Sequence, residues 1–387
     1  MKKLNNTDYK VLELISKKQK QTRMDLSEYL DISPAAISKI IRKLMEFNLI
    51  YEDYSISSKG GRPRKSLKLN GSSKKIIGIN FGSGFMDVSI SGIDGVILDT
   101  VRRYILFKSP DSLVARLKKE LDDILDKYGK EEIIGIGLAI NGIVNNIGGS
   151  VVFSPHLKWS NFKLKEYFEN MYDIPVIIEN DVRSMLMAEI YENNNSKNVF
   201  FIYLRYGIGA ALLINNKIFS GDTFSAGEIG HYIVNPKSNS KCKCGKFGCL
   251  EAEFSTLAIR EKISWESQMS GKMSNVENLT DEEIYIEAQK GVEPYHSKVK
   301  DASFQIGNVV GNVLNILNIE NIVITGDILD SKELFKVNFS KGLESMLTKN
   351  FDYKINIKES KFGKDVEKYG ALYLVISNLF SGKKIFK

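Results

Sequence analysis

Residues 227–251 read GEIGHYIVNPKSNSKCKCGKFGCLE, and they contain all three cysteines of this 387-residue chain. The cysteines follow a C-x-C-x4-C spacing with glycines among them, and glycine lets a backbone turn sharply enough for three thiolates to face one ion. Zinc binds four ligands tetrahedrally and prefers sulfur and nitrogen in structural sites. We therefore predict a zinc site whose ligands are Cys242, Cys244, Cys249 and, within one loop's reach of them, His231. Three unrelated thiols and a redox switch are the alternatives.

Length and composition indicate a globular protein with more than one domain. Hydrophobic residues make up 43% and charged residues 26% of a chain of 387 residues, which exceeds one ordinary core. The sequence contains no apolar run of the ~20 residues that a membrane helix needs, and its N-terminus does not follow a signal-peptide pattern. We therefore expect a cytoplasmic protein without a membrane partner, in a compartment that disfavours disulfides.

The excess positive charge lies at one end of the chain. Residues 1–70 contain 15 Lys/Arg and 8 Asp/Glu, so their net charge of +7 equals that of the whole chain. The remainder is neutral. A basic segment joined to a neutral body predicts that the first 70 residues bind a polyanion while the body has another role.

Apolar periodicity predicts three short helices in this basic segment. The second, residues 23–30, is expected to turn Met24 and Leu26 inward, and the third follows Ser33, a good N-cap, with Pro34 at its first position. Small residues at the start of the third helix allow close approach to the major groove, and its basic residues can reach phosphates or guanine edges. A protein-docking module with a solvated basic face is the alternative.

The segment after the third helix strengthens the DNA interpretation. Residues 49–59 predict a β-wing, and residues 60–70 form a basic glycine-proline strip. Gly-Arg-Pro holds an extended backbone from which one arginine can enter a narrow minor groove. A linker turn is the alternative, but the segment as a whole resembles the winged helix-turn-helix of bacterial repressors. The predicted DNA contacts are Ser33, Ala35, Ala36, Ser38, Lys39, Arg42, Lys43, Arg62 and Arg64.

From residue 74 the sequence alternates strands and helices twice, which predicts an α/β fold of two similar lobes with a ligand-binding cleft between them. The expected divisions are a DNA-binding domain at 1–70, a first lobe at 71–185 completed by a helix at 368–387, and a second lobe at 186–367. The predicted zinc loop, 228–251, belongs to the second lobe.

The stretches GEIGH and CKCGKFGCLE resemble the signature of the ROK family (repressors, open reading frames and kinases), G-E-x-G-H followed by C-x-C-G-x-x-G-C-x-E. Every fixed position of that pattern is present. With ENDVRSMLMAE at 179–189, the resemblance covers residues 74–387, and with the N-terminal head it covers the chain. It implies an actin-like, sugar-kinase ATPase fold and a repressor of the xylose-repressor or N-acetylglucosamine-repressor type.

The resemblance also implies a sugar site. His231 would bind zinc through one ring nitrogen and face the sugar with the other, while Glu228 and Glu251 would accept hydrogen bonds from sugar hydroxyls. Asn180 and Asp181 match the family's Asn-Asp pair, whose aspartate is the general base in the kinases. An ordinary helix N-cap is the alternative role for Asp181.

The nucleotide elements of the kinases are degraded here. Asn80 stands where an aspartate is expected after the first strand, Arg205 and Tyr206 replace Gly-Thr in the second phosphate loop, and the later glycine cluster is reduced to TGD at 325–327. Phosphoryl transfer needs glycine-rich turns and an acid that holds Mg²⁺. We therefore predict a protein that is not an enzyme, with Asp181 as a vestigial base. The alternative is an ATP-dependent sugar kinase with an appended DNA-binding module.

The predicted mechanism is allosteric. A homodimer or tetramer would present recognition helices to adjacent half-sites of operator DNA, and a sugar, with xylose as the candidate, would modulate its affinity for the operator. Asn141 stands in a predicted sugar-binding loop at a position where proline is usual in the family, so the identity of the sugar is left open.

Overall fold

The computed structural model describes residues 4–18, 21–56, 64–82, 84–104, 109–193, 196–270, 276, 278–349 and 354–380. Packing divides the chain into two units: unit 1 comprises residues 1–194 and 367–387, and unit 2 comprises residues 195–366. Within the described ranges, we find no helix with the length and apolarity needed to cross a bilayer.

Unit 1 begins with the head, a three-helix module followed by a hairpin. Its elements are α1 (Asn6–Ser16), α2 (Arg23–Leu30), α3 (Pro34–Glu46), β1 (Ile50–Ile56) and β2 (Arg64–Leu69). The hydroxyl of Ser33 accepts the amide of Ala36 and caps α3, as predicted. Ile37 and Ile41 are fully buried, whereas Met24 is 51% exposed. The expectation that Met24 points inward was wrong, because α2 buries a narrower stripe around Leu26.

The wing is a two-stranded hairpin in which β1 pairs antiparallel with β2, with Ile50 opposite Leu69. The sequence prediction missed the second strand, which lies inside the segment expected to be a basic strip. Leu67 and Leu69 are buried, and the Leu67 amide donates to the Gln21 carbonyl, so core packing fixes this strand. Residues 57–63, with Arg62, lie outside the described residues.

The body of unit 1 is a five-stranded sheet of order β10-β6-β3-β4-β5, with a smaller sheet of order β7-β8-β9. Strands β3, β4 and β5 form an antiparallel meander, and β6 and β10 run parallel to β3. The elements are β3 (Lys75–Phe81), β4 (Phe85–Gly92), β5 (Ile97–Tyr104), α4 (Pro110–Tyr128), β6 (Ile133–Ile140), β7 (Ile143–Asn145), β8 (Ser150–Ser154), β9 (Trp159–Phe162), α5 (Leu164–Tyr172), β10 (Val176–Asn180) and α6 (Asp181–Asn193). The predicted boundary at 185/186 falls inside α6.

Unit 2 repeats the same connectivity in a sheet of order β13-β12-β11-β14-β15. Strands β11, β12 and β13 form the meander, and β14 and β15 add in parallel. Its elements are β11 (Val199–Leu204), β12 (Ile208–Ile214), β13 (Lys217–Phe219), α7 (Leu250–Phe254), α8 (Thr256–Ser270), α9 (Asp281–Gln289), α10 (Tyr295–Leu317), β14 (Asn321–Thr325), α11 (Lys332–Met346) and β15 (Asn356–Glu359). The prediction of two similar α/β lobes is confirmed.

The last helix of the chain, α12 (Val366–Phe380), returns to unit 1 and packs directly on its sheet. Two strand glycines make this close approach possible. A Cβ atom at Gly137 would lie 2.0 Å from the Ala371 carbonyl oxygen, and one at Gly78 would lie 2.8 Å from the Leu372 amide nitrogen. On its other side α12 meets α6, where Gly370 lies against Ser184.

Candidate functional site

Four side chains of unit 2 converge on one point. The ligand atoms of His231, Cys242, Cys244 and Cys249 all lie within 4.8 Å of one another. Cys242 Sγ is 3.4 Å from His231 Nδ1, and Cys244 Sγ is 3.7 Å from Cys249 Sγ. Sulfurs held ~2.3 Å from an ion at tetrahedral angles are about 3.8 Å apart, so these spacings fit zinc. The structure therefore brings together the four predicted metal ligands.

Sharp backbone turns create this cluster. Gly245 and Gly248 have φ angles of 92° and 70°, in the left-handed region that favours glycine. The amide of Cys242 donates to the Lys246 carbonyl at 2.8 Å, which closes the turn that carries the first two thiols, Cys242 and Cys244. A Cβ atom at Gly248 would lie 1.9 Å from the Asn235 carbonyl oxygen, so a side chain there would force the loop apart.

The thiols of the cluster have different proton affinities. Burial raises the pKa of Cys242, and burial together with hydrogen bonds from the other thiols raises the pKa of Cys249 to about 12. At Cys244 burial acts in the same direction, but hydrogen bonds from the Lys246 amide and the other thiols lower the pKa. A bound divalent ion favours all three thiolates, so metal binding at this site would release protons.

The predicted sugar ligands of unit 2 surround the start of β12. The second ring nitrogen of His231, Nε2, lies 3.7 Å from Glu228 Oε2, and the Glu228 side chain is 43% exposed. Glu251 lies in the first turn of α7, where its Oε2 accepts the backbone amide of Ile208 at 3.0 Å. The carboxylates of Glu228 and Glu251 and the ring of His231 therefore lie beside the three cysteines, all within unit 2.

In unit 1, Asn141, Asn180 and Asp181 meet at the carboxyl ends of β6 and β10. Asp181 Oδ2 accepts the amide of the Asn141 side chain at 2.9 Å, and Oδ1 accepts the side-chain amide of Asn180 at 3.0 Å. Asn180 Oδ1 accepts the backbone amide of Arg183 at 3.0 Å, the hydrogen bond that an N-cap makes. The capping role considered for Asp181 therefore belongs to Asn180. Amides and a carboxylate are gathered at the edge where α/β sheets bind ligands.

A buried ion pair lies next to these residues and holds the loop after Asn141. The sequence prediction did not include it. Arg183 is 1% exposed, its Nε donates to Glu179 Oε1 at 2.8 Å, and its guanidinium also donates to the Val144 carbonyl at 3.2 Å. Asn146 donates to the other oxygen of Glu179 at 2.6 Å. The pair therefore anchors the loop that follows Asn141. The spacing of four residues in ENDVR is a signal that could have indicated it.

At the corresponding edge of the unit 2 sheet, charges pair with one another. Arg205 lies directly after β11, and Asp327 lies two residues after β14. Arg205 Nε donates to Asp327 Oδ2 at 2.8 Å. With Tyr206 and Lys364 they line a cavity of about 380 Å³, and Lys364 Nζ lies 2.6 Å from Asp330. Burial raises the pKa of Asp327 against the opposing effect of Arg205. A phosphate entering this cavity would meet cations that are already neutralised.

The predicted DNA-contacting residues lie on α3 and the wing. Ser33, Ala35, Lys39 and Arg42 are exposed, and Ala36 and Ser38 are half-buried. Lys43 differs from them because its Nζ lies 2.6 Å from Asp8 Oδ2, and the Asp8 side chain is only 1% exposed. Lys43 therefore joins α3 to α1. Arg64 begins β2, and Arg62 belongs to the segment outside the described residues.

Two family models match the sequence. The model of the ROK family matches residues 76–378, and the model of a winged helix-turn-helix DNA-binding domain matches residues 4–51.

Known proteins are similar to the chain over most of its length. A protein named xylose repressor, from Caldicellulosiruptor bescii, is 28% identical over 392 aligned positions, covering 96% of this chain and 95% of that protein. The crystal structure of a ROK family transcriptional regulator, described as a homolog of the E. coli MLC protein, has a TM-score of 0.80 at 24% identity and covers 98% of each chain. A ROK family glucokinase from Streptomyces griseus, in complex with glucose and AMPPNP, has a TM-score of 0.68 at 20% identity, covering 78% of this chain and 98% of that one.

Proposed function

The chain belongs to the ROK family, and from this premise we propose that it is a sugar-responsive, DNA-binding transcriptional repressor of carbohydrate-utilisation genes. The head is the observation that carries the proposal. It matches a DNA-binding model over residues 4–51, and the xylose repressor relative is similar over 96% of the chain. The glucokinase structure covers 78% of the chain, so a kinase body alone leaves part of this protein unexplained.

The proposed sugar ligands are Asn141, Asn180 and Asp181 in unit 1, and Glu228, His231 and Glu251 in unit 2. Sugars present adjacent hydroxyls, which carboxylates and amides bind through paired, charge-assisted hydrogen bonds. The hydrogen bonds between Asp181 and the two asparagine side chains orient an acceptor and donors at one edge, which supports this assignment. Xylose is the first candidate because the relative is named a xylose repressor, and N-acetylglucosamine is the second.

The cofactor that we assign is Zn²⁺, held by His231, Cys242, Cys244 and Cys249. Four protein ligands leave no open position, so the ion would be structural and would not activate water. Its bonds would fix the loop that carries Glu228. They would also fix the start of the helix that carries Glu251, because Cys249 directly precedes that helix. The ring of His231 would thereby be held with Nδ1 on the metal side and Nε2 beside the Glu228 carboxylate.

We assign operator binding to α3 and the wing. The exposed side chains of Lys39 and Arg42 would reach phosphates or guanine edges, and the small residues at the start of α3 would permit close approach. Two copies of the head are needed to read two half-sites, so the protein would act as a homodimer or a tetramer, in the cytoplasm where the DNA lies.

The alternative, a sugar kinase with an added DNA-binding module, draws on the likeness to the glucokinase fold and on Asp181 at the position of the kinase base. The pairing of Arg205 with Asp327 argues against it. In a phosphate-binding turn, backbone amides must reach the phosphate oxygens, and here the turn carries a guanidinium that is paired with a buried carboxylate. We therefore regard Asp181 as a sugar ligand and not as a working base.

Operator binding is tested by fluorescence anisotropy of the DNA upstream of the protein's own transcription unit, with and without xylose, glucose or N-acetylglucosamine. We expect nanomolar-range binding that weakens with salt, because phosphate contacts release counterions, and that changes with one sugar. An affinity that no sugar or sugar phosphate alters would defeat the sensor proposal. ATP turnover against the same sugars, if lost in Asp181→Ala, would establish the kinase instead.

A further inference from the structure

A buried tyrosine of the body of unit 1 contacts the first helix of the head. Tyr191, in the last turn of α6, is 8% exposed, and its hydroxyl lies 2.5 Å from Ser16 Oγ at the end of α1. Ser16 Oγ also lies 2.8 Å from the Glu13 carbonyl oxygen, and in the hydrogen bond between Ser16 and Tyr191 either hydroxyl can be the donor. Lys17 Nζ lies 5.2 Å from the centre of the tyrosine ring, a cation–π contact with the same helix of the head.

The same tyrosine is held from the body side. Its ring packs edge-to-face against Tyr373 of α12 with centroids 5.4 Å apart, and the Tyr373 hydroxyl donates to Glu192, the next residue of α6. Burial raises the pKa of Tyr191, which keeps its hydroxyl protonated and able to donate. The end of α6 is therefore tied at once to the head and to α12.

The opposite end of α6 carries the proposed sugar ligands. Asp181 is its first residue, and Asn180 caps it. Arg183, through Glu179 and the Val144 carbonyl, connects its first turn to the loop of Asn141. A ligand that draws on the Asp181 carboxylate or the Asn180 amide therefore acts on the start of this helix.

The first half of the helix between these two ends is tightly packed, and its second half is partly buried. Residues 181–186 are all buried, and Ser184 lies against Gly370 of α12. Asp181 and Tyr191 are ten positions apart, which is about 15 Å along an α-helix. Packed interiors transmit shifts of rigid elements because their side chains leave no space for local adjustment.

We propose that α6 is the element that couples the two functions of unit 1: sugar contacts at Asp181 shift the helix, and Tyr191 passes the shift to α1 of the head. Tyr191 is thus a positioning residue that contacts neither sugar nor DNA. This inference rests on the proposed function. It adds a named helix and a named hydrogen bond to the general expectation that sugar alters operator affinity.

The test measures the coupling factor, which is the ratio of operator Kd with a saturating sugar to operator Kd without it. The full-length protein is titrated onto its upstream DNA with xylose, glucose and N-acetylglucosamine, and the sugar with the largest factor is used for the variants. Tyr191→Phe removes the hydroxyl and keeps the ring. We expect it to reduce the coupling factor by at least about three-fold, while sugar affinity without DNA changes by less than that.

Ser16→Ala removes the other partner of the hydrogen bond from the head and leaves α6 untouched. It should reproduce the loss, and the double variant should lose no more than either single variant, because both remove one interaction. The matched control is Tyr172→Phe, which deletes the hydroxyl of a buried unit 1 tyrosine that donates to Asp122 at 2.7 Å. It should keep the wild-type factor.

The outcomes separate the two proposals. If no sugar changes operator affinity in the wild type, the sensor function fails and this inference falls with it. If sugar acts on the wild type and Tyr191→Phe and Ser16→Ala keep the full factor, the function stands and the coupling through α6 is wrong. Variants that weaken DNA binding equally with and without sugar would show a merely structural contact, which also overturns the inference.

Discussion

The two units contain a five-stranded sheet of the same topology, but different polar residues follow its strands in each unit. In unit 1 the strand ends bring together two asparagines and one aspartate, in which amides donate to a single carboxylate. In unit 2 they bring together Arg205 and Asp327, which neutralise each other. The unit 1 carboxylate accepts hydrogen bonds from side-chain amides, whereas the unit 2 carboxylate is paired with a guanidinium. The contrast teaches that one sheet topology can gather amides around a carboxylate or pair a carboxylate with a guanidinium, depending on which residues follow its strands.

Loss of the metal should have the largest effect and should be confined to unit 2. Cys249→Ser removes a buried ligand, and we expect a loss of zinc affinity greater than the ~10–100-fold that removal of an outer-shell group costs. Zinc content by mass spectrometry should be one ion per wild-type chain and near zero in the variant. Lys243→Ala, an exposed position between two ligands, is the control and should keep its zinc. Full zinc occupancy in Cys249→Ser would refute the ligand assignment.

Breaking the ion pair of Arg205 and Asp327 in unit 2 should have the second largest effect. Arg205→Met leaves the Asp327 carboxylate, whose side chain is 4% exposed, without its main partner, and we expect a stability loss of ~3–5 kcal/mol by urea unfolding. The double variant Arg205→Met/Asp327→Leu should recover most of it, because no charge is left buried. A single variant as stable as the wild type would show that the pair is not structural.

The same variant has a predictable pH dependence. Burial already raises the pKa of Asp327, and removal of Arg205 raises it further. The folded state then binds a proton more tightly than the unfolded state, so the unfolding free energy should fall as pH rises above the ordinary aspartate range and through the raised pKa. Urea titrations from the ordinary aspartate range upward should show a steeper decline for Arg205→Met than for the wild type. Parallel curves would contradict the assignment.

A change at Asp181 of unit 1 should act on sugar binding. Asp181→Asn keeps the shape of the side chain and removes its charge, and loss of a charge-assisted hydrogen bond of ~1.5–3 kcal/mol should weaken sugar binding roughly 10- to 100-fold. Calorimetric titration with the effective sugar measures this. Asp327→Asn, the same change at the edge of unit 2, should leave sugar affinity unaltered. Equal losses in the two variants would remove the distinction between the edges.

The smallest effect is expected at the surface of the head. Lys39→Ala should weaken operator binding by a similar factor at every sequence and reduce the salt slope by about one, as loss of one phosphate contact does. Lys43→Ala should instead destabilise the head, since it leaves the buried carboxylate of Asp8 unpaired. Thermal melting and anisotropy together separate the two, and identical behaviour would mean that both lysines touch DNA.

The sequence predicted best what short-range patterns encode. The Cys3His cluster and the Asn-Asp pair were predictable because their members lie within a few residues of a turn or a strand end. The pair of Arg205 and Asp327 spans 122 positions and the contact of Ser16 with Tyr191 spans 175, so only the folded chain brings their partners together. The second wing strand was missed for a similar reason. Its pairing with β1 and the burial of its own Leu67 and Leu69 depend on tertiary contacts, which outweigh the weak local preference of a lysine-rich segment.

The glycines beneath α12 have a consequence for biosynthesis. Unit 2 is one continuous stretch of chain, whereas unit 1 cannot close its sheet until the final helix fills the groove above Gly78 and Gly137. On the ribosome, unit 2 can therefore fold first, while the sheet of unit 1, although translated earlier, stays incomplete until α12 has been translated. Nascent or prematurely terminated chains would expose that groove, so quality control by chaperones and proteases should act most strongly on products that lack the C-terminal helix.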